Sequence, residues 1–182
     1  TCEILDRGPL RVTARLSYTP FEIDGKTIVE TRTITLDAGS HFNRSSVSFA
    51  GLDGAKELVV GLVIHPENPA AYRFGKDSSG GWAAYPDLGD ANVGENGEIY
   101  VGAVVASPVE SVSYVPFKDD IAGNHSALGH VLIRTEYTPG EIFSYWFGSG
   151  WSKAGIKDMD EWERIVKEQK EKVTNKLIID IK

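Results

Sequence analysis

Cysteine is almost missing from this chain. Cys2 is the single thiol among 182 residues, which excludes an internal disulfide and a thiolate metal cluster. Basic charge is in deficit: 19 Lys and Arg stand against 26 Asp and Glu, a net charge of −7. Nucleic-acid binders show the opposite balance, so that partner class is set aside. No apolar run approaches the roughly 20 residues that a membrane-spanning helix needs. The patterns GxxxxGKS/T, HExxH and GxSxG do not occur, nor does GxGxxG between a strand and a helix. Sequence support for nucleotide hydrolysis, zinc proteolysis and lipase-type chemistry goes with them. No Met opens the chain. TCEILDRGPLRV reads as the start of a processed or excised segment, so export stays open.

What is present is globular: 41% hydrophobic and 25% charged residues exclude general disorder. Residues 152–182 carry 8 basic and 7 acidic groups, whereas residues 1–151 carry 11 and 19, so the body holds the acidity. That body reads as β. Leu10, Val12, Ala14, Leu16 and Tyr18 alternate with Arg11, Thr13, Arg15 and Ser17 up to Pro20. Residues 26–39 are rich in Thr, Ile and Val, and residues 45–49 continue after a turn. Residues 58–65 and 99–106 are short apolar runs that suit strands buried on both faces. Residues 111–115, 130–137 and 141–146 complete about eight or nine strands. The prediction is a mostly β, antiparallel sandwich or barrel. It forms a single domain over 1–182, or the C-terminal portion of a larger one. Residues 158–174 form the one helix: Asp158 caps it with Glu161 three residues on, and Met159, Trp162, Ile165, Val166 and Val173 make a stripe that docks on the sheet. Residues 177–181 are expected to add an edge strand.

Each candidate for chemistry has a structural alternative. His65 ends a buried strand beside Pro66, and His125 lies in the polar loop DDIAGNHSALGH. Either serves as an acid or base if a carboxylate or Arg converges on it, and otherwise is a hydrogen-bonded surface residue. His41 and His130 rank below them. Arg44 opens a strand where its fork can clamp a carboxylate, or simply pair on the surface. Asp87, Asp90, Asn92, Glu95 and Glu98 are hard oxygen donors open to calcium, although their spacing is not that of an EF-hand. No other cofactor is expected. Tyr145, Trp146, Phe147 and Trp151 cluster with two glycines, and Trp82 and Tyr85 sit in another Gly-rich segment. Such rings either stack on sugars or pack as core. Strand alternation places Tyr145 and Phe147 on one face and Trp146 on the other.

The stretches TRTITLDAGSHFNR, GLVIHPE, WAAYPDLGDANVGENGEIYVG and GHVLIRTEYTPGEIFSYWFGSGWSKAGIKDMDEWERIVKE resemble the C-terminal part of an uncharacterised family of exported bacterial proteins. That family is found among polysaccharide-utilisation genes. YWFGSGWSKAGI followed by a DxxEW helix is the most specific feature. The resemblance implies a galactose-mutarotase-like supersandwich, an oligosaccharide partner and a periplasmic or secreted location. Family members are longer, so residues before Thr1 are expected to supply further strands. The function expected first is elimination on uronate-containing oligosaccharides. Arg44 or Arg134 neutralises the carboxylate, His65 or His125 acts as base or acid, and Tyr100 or Tyr137 is the alternative proton donor. The alternatives are a non-catalytic binding module using Trp82, Trp146 or Trp151, and a structural half of a larger sandwich.

Overall fold

In the computed structural model of the chain, residues 1–87, 96–118 and 127–175 are described. In chain order the strands are β1 (Cys2–Arg7), β2 (Arg11–Ser17), β3 (Phe21–Ile23), β4 (Lys26–Asp37), β5 (Phe42–Ala50), β6 (Lys56–Ile64), β7 (Arg73–Asp77), β8 (Gly80–Asp87), β9 (Ile99–Val105), β10 (Ser111–Pro116), β11 (Gly129–Tyr137) and β12 (Phe143–Trp151). The α-helix α1 (Met159–Thr174) follows. The strands form two antiparallel sheets. The larger runs β1-β2-β4-β5-β12-β9-β8-β7, with β3 also on β4, and the smaller runs β10-β11-β6. The expected mostly β architecture with a C-terminal helix is what the chain adopts. The edge strand expected at residues 177–181 lies outside the described residues.

Strand alternation divides the large sheet into two faces. Its inner face meets the small sheet through Ala83, Tyr85, Ala103 and Val105, packed against Val60, Ile64, Val131 and Ile133. Its outer face carries Phe42, Trp82, Ala84, Tyr100 and Val104 beneath Trp162 and Val166 of α1. β8 and β9 are therefore buried on both sides, as the run at residues 99–106 predicted. Residues 58–65 are different. Among the described residues β6 pairs with β11 alone, and Val59 and Val63 are exposed, so within them this apolar run is an edge strand rather than a central one. Its composition matched a buried strand because its inner residues are core. Position in the sheet is a tertiary property.

The β7–β8 hairpin is illegible in the sequence because GGWAA resembles a loop. The small residues are clearance between layers. A Cβ on Gly81 would stand 2.9 Å from Val112 Cγ2, across the gap between the sheets. Helix clearance works the same way. A Cβ on Gly102 would meet Val166 Cγ2 at 2.8 Å, and one on Gly150 would meet Ile156 at 2.7 Å and Trp162 at 3.0 Å. The glycines of the aromatic segment thus open a slot for the Trp162 ring. That ring is stacked 5.6 Å from Phe42, and its Nε1 donates to the Val101 carbonyl at 2.9 Å.

Polar contacts complete the docking. Lys170 Nζ donates to both Asp77 carboxylate oxygens at 2.6 and 2.7 Å and to Ser79 at 2.8 Å. Arg73 bridges to Asp160 and Glu163, each at 2.6 Å. Asp158 caps the helix by accepting from the Glu161 amide at 2.9 Å, as the sequence implied.

Candidate functional site

β12 pairs with β5 so that Trp146 lies directly across from Arg44. Both face outward, beside the last turn of α1. Cross-strand partners put their Cβ atoms about 5 Å apart, so the indole and the guanidinium share one floor. Two hollows meet there. One of about 560 Å³ extends past Ser107, Glu136, Glu141 and Ser144. The other, of about 300 Å³, extends past Arg11, Asp37, Ser40 and Lys172. Arg44, Trp146 and Val173 line both.

The charges in this groove are not equivalent. Arg11 holds Asp37 in a fork, Nε to Oδ1 at 2.5 Å and Nη2 to Oδ2 at 3.0 Å. That bond keeps the Asp37 carboxyl below the usual carboxylate range. Arg44 is exposed and has no hydrogen-bond or ion-pair partner among the described residues. The groove therefore offers an exposed planar cation, drawn toward Asp37 by charge but not hydrogen-bonded to it, beside a half-buried aromatic ring, with hydroxyls and carboxylates around it. This set suits a ligand with an apolar ring face, several hydroxyls and an acidic group.

A second constellation lies on the inner side, at the far end of the sandwich. His65 Nδ1 is 3.0 Å from Asp87 Oδ1. A carboxylate accepts only, so His65 Nδ1–H is the donor in this pair. Tyr85 fixes the backbone there. Its hydroxyl accepts from the His65 amide at 3.1 Å and donates to the His65 carbonyl at 3.3 Å. Burial pushes the Tyr85 phenol up, so it stays protonated. Asp87, Ile99 and Trp151 are successive register partners. Trp151 is thus two strands from the dyad, about 10 Å. Its indole donates to the Asn96 carbonyl at 2.7 Å.

The expected residues therefore separate. Arg44 and Trp146 come together. His65 and Trp151 share an end of the sandwich on the opposite face of the large sheet from Arg44. Trp82, read as part of a Gly-rich loop, is a buried β8 residue under α1, with Lys167 Nζ 4.9 Å from its ring centre. Tyr85 is core. Tyr100 is buried beneath Trp162 and donates to Glu98 Oε2 at 2.5 Å. Burial, then Glu98, raises its pKa, which makes it a structural phenol rather than an accessible proton donor. Tyr137 is likewise buried, donating to the Glu141 carbonyl at 2.8 Å. Arg134 projects from the outer face of the small sheet and pairs with Glu57 at 2.5 Å, away from Arg44. His41 and His130 are edge-on to Trp162 and Phe117. His125, Asp90, Asn92 and Glu95 lie outside the described residues. Among the described residues no three His, Cys, Asp or Glu side chains are grouped to hold a metal. Sequence reasoning missed Asp87 as the partner of His65, weighing it only as a cation ligand. It also missed that Glu136, Glu141 and Lys172 line the hollows that Arg44 lines. No local signal marks them, because the β5–β12 pairing spans about a hundred residues of chain.

A protein assembled this way is a two-sheet β fold with a docked helix and a polar, aromatic-floored groove. The chain belongs to the family described as "Domain of unknown function (DUF4861)", whose pattern matches residues 1–179. It is 27% identical over 177 residues to "Uncharacterized protein P7" of Formosa agariphila, covering 96% of this chain and 40% of that protein. This chain thus spans well under half of that relative. Among solved structures it is similar to "Putative kojibiose phosphorylase from human microbiome", with a TM-score of 0.48 and 11% identity over 90% of this chain and 21% of that one. A likeness that distant speaks to neither activity nor substrate. No helix among the described residues is long and apolar enough to cross a membrane.

Proposed function

We propose that this chain binds an acidic saccharide, such as a uronate-containing oligosaccharide, in the Arg44–Trp146 groove. The single observation behind this is the exposed Arg44 guanidinium in register with the Trp146 ring on the floor of a polar groove. The ring takes an apolar sugar face, and the planar fork takes a carboxylate in two parallel hydrogen bonds. A periplasmic or secreted setting, where such glycans are met, belongs to the same proposal.

Tryptophan fluorescence titrated with uronate oligosaccharides tests it. Trp146→Ala and Arg44→Ala are each expected to weaken binding about tenfold or more. Arg44→Lys keeps the charge, loses the fork and falls between. Equal affinity for neutral and acidic oligosaccharides removes the role of Arg44, and unchanged titration in Trp146→Ala removes the site.

Elimination is a second reading, carried by a different observation, the His65–Asp87 pair. An imidazole oriented through Nδ1 by a carboxylate is the arrangement used by general acids and bases. Among the described residues no histidine lines the groove, so base and carboxylate clamp do not converge there. If elimination occurs, His65→Ala abolishes formation of the unsaturated product while leaving groove binding intact. Without turnover, binding alone stands.

A further inference from the structure

The register of the large sheet orders the groups of the Arg44–Trp146 groove along the strands. Arg44 of β5 stands between Thr35 of β4 and Trp146 of β12. Arg11 and Asp37 are register partners, and Asp37 lies two residues beyond Thr35 on β4. Two residues of strand are about 7 Å, so the Arg11–Asp37 fork flanks the Arg44–Trp146 row on one side. On the other side, again two residues away, Ser46 and Ser144 are register partners whose hydroxyls share a hydrogen bond at 2.9 Å. β12 begins beside them at Phe143, and Glu141 precedes it.

Charge follows this order. At the first end, among the described residues, Arg11, Arg44 and Lys172 surround the single carboxylate of Asp37. All three pull on it, Arg11 through its fork, then Lys172 and Arg44 by charge alone. The fork cancels Arg11 against Asp37 and leaves Arg44 and Lys172 in surplus. The last turn of α1 lines this end. Its terminal carbonyls add about half a negative charge, which offsets part of that surplus and not all of it. At the second end the sign reverses. Glu136 and Glu141 line the larger hollow, and among the described residues the shared Arg44 is the single cation there. Both glutamates are exposed, and neither side chain has a hydrogen-bond or ion-pair partner among the described residues.

A groove cationic at one end and anionic at the other takes an elongated ligand one way round. We infer that it holds two adjoining sugar units with a fixed polarity. An acidic unit sits at the Arg11–Arg44–Lys172 end and an uncharged unit at the Glu136–Glu141 end, with the Trp146 ring between them. Carboxylates accept only, so the glutamates take hydroxyl donors from the uncharged unit. A second acidic unit in that place meets like charge. The groove therefore selects an acidic sugar joined to a neutral one over a run of acidic sugars. This polarity rests on the acidic-saccharide reading above and narrows it to a sequence of charge along the glycan.

Tryptophan fluorescence titrated with two disaccharides tests it: one of two uronates, the other of a uronate joined to a neutral hexose. The mixed disaccharide is expected to bind about fivefold more tightly at low salt, and the preference to shrink at about 0.5 M salt. Glu136→Gln together with Glu141→Gln is expected to cut the preference to about twofold or less. Linkage differs between the two probes but not between the variants, so the change in ratio isolates the glutamates. Lys172→Gln is expected to weaken both disaccharides alike, by about threefold, because each seats one acidic unit at that end. Equal affinity for the two disaccharides overturns the polarity. So does a preference that neither salt nor the glutamate variant reduces, or a Lys172→Gln effect confined to one probe. In those cases binding that depends on Trp146 still stands. If Trp146→Ala leaves both titrations unchanged, the groove reading fails and the polarity with it.

Discussion

Single residues here do their work through clearance as much as through contact. Gly102 and Gly150 are read most simply as flexible, yet each stands where a methyl group would displace the helix. Gly102→Ala is expected to cost about 1–3 kcal/mol, because Val166 is buried and cannot yield freely. Urea unfolding monitored by circular dichroism measures this. An unchanged midpoint would mean that α1 shifts without penalty. Trp162 is the complementary case. It fills the slot, so Trp162→Ala is expected to cost about 3–5 kcal/mol. Trp162→Phe keeps most of the volume but leaves the Val101 carbonyl without its indole donor. It is expected to cost less, about 1–3 kcal/mol.

At the scale of elements, α1 is held by an apolar stripe and by ion pairs that titrate. Lys170, then Ser79, hold the Asp77 carboxyl far below its ordinary range. Lys167 and Arg73 do the same, less strongly, for Glu163. Both acids have a folded pKa below the unfolded value. Their contribution is therefore complete above the unfolded pKa, near 4, and is lost as pH falls through the lower folded value. Helix docking is expected to be insensitive to pH between 5 and 8 and to weaken progressively below pH 4. Following α1 by its amide exchange across that range checks it. Asp77→Asn should flatten the acid limb, and a variant with the same acid limb as the parent would assign that loss to other groups. Because Asp77 is largely exposed, water replaces much of what the pair provides, and the effect is expected to be modest.

At the scale of the whole molecule, the large sheet is a partition. Arg44 and Trp146 lie on one side, His65 and Asp87 on the other. Residues separated in this way without shared partners act independently. The unfolding free energies of Arg44→Ala and His65→Ala are expected to add in the double variant to within about 0.5 kcal/mol. A larger coupling, measured by a double-mutant cycle, would place the two in one network and reopen a joint catalytic role.

Alternation and helical spacing are local properties, and both survived folding intact. The strand at residues 99–106 and the opposite facing of Trp146 from Tyr145 and Phe147 were legible because a strand's period of two is set by its own backbone. So was the capped, striped helix from Asp158 onward, because its caps and stripe lie within one short segment. Which strands are central, which are edges, and which distant side chains meet depended on pairings between segments far apart in the chain. Those pairings made an apolar run into the β6 edge. They turned Trp82 and Tyr85 from candidate ligand contacts, and Tyr100 from a candidate proton donor, into core, and placed His65 and Arg44 on opposite faces. Composition records what a residue prefers to bury. Only the assembled sheets decided what was there to bury it against.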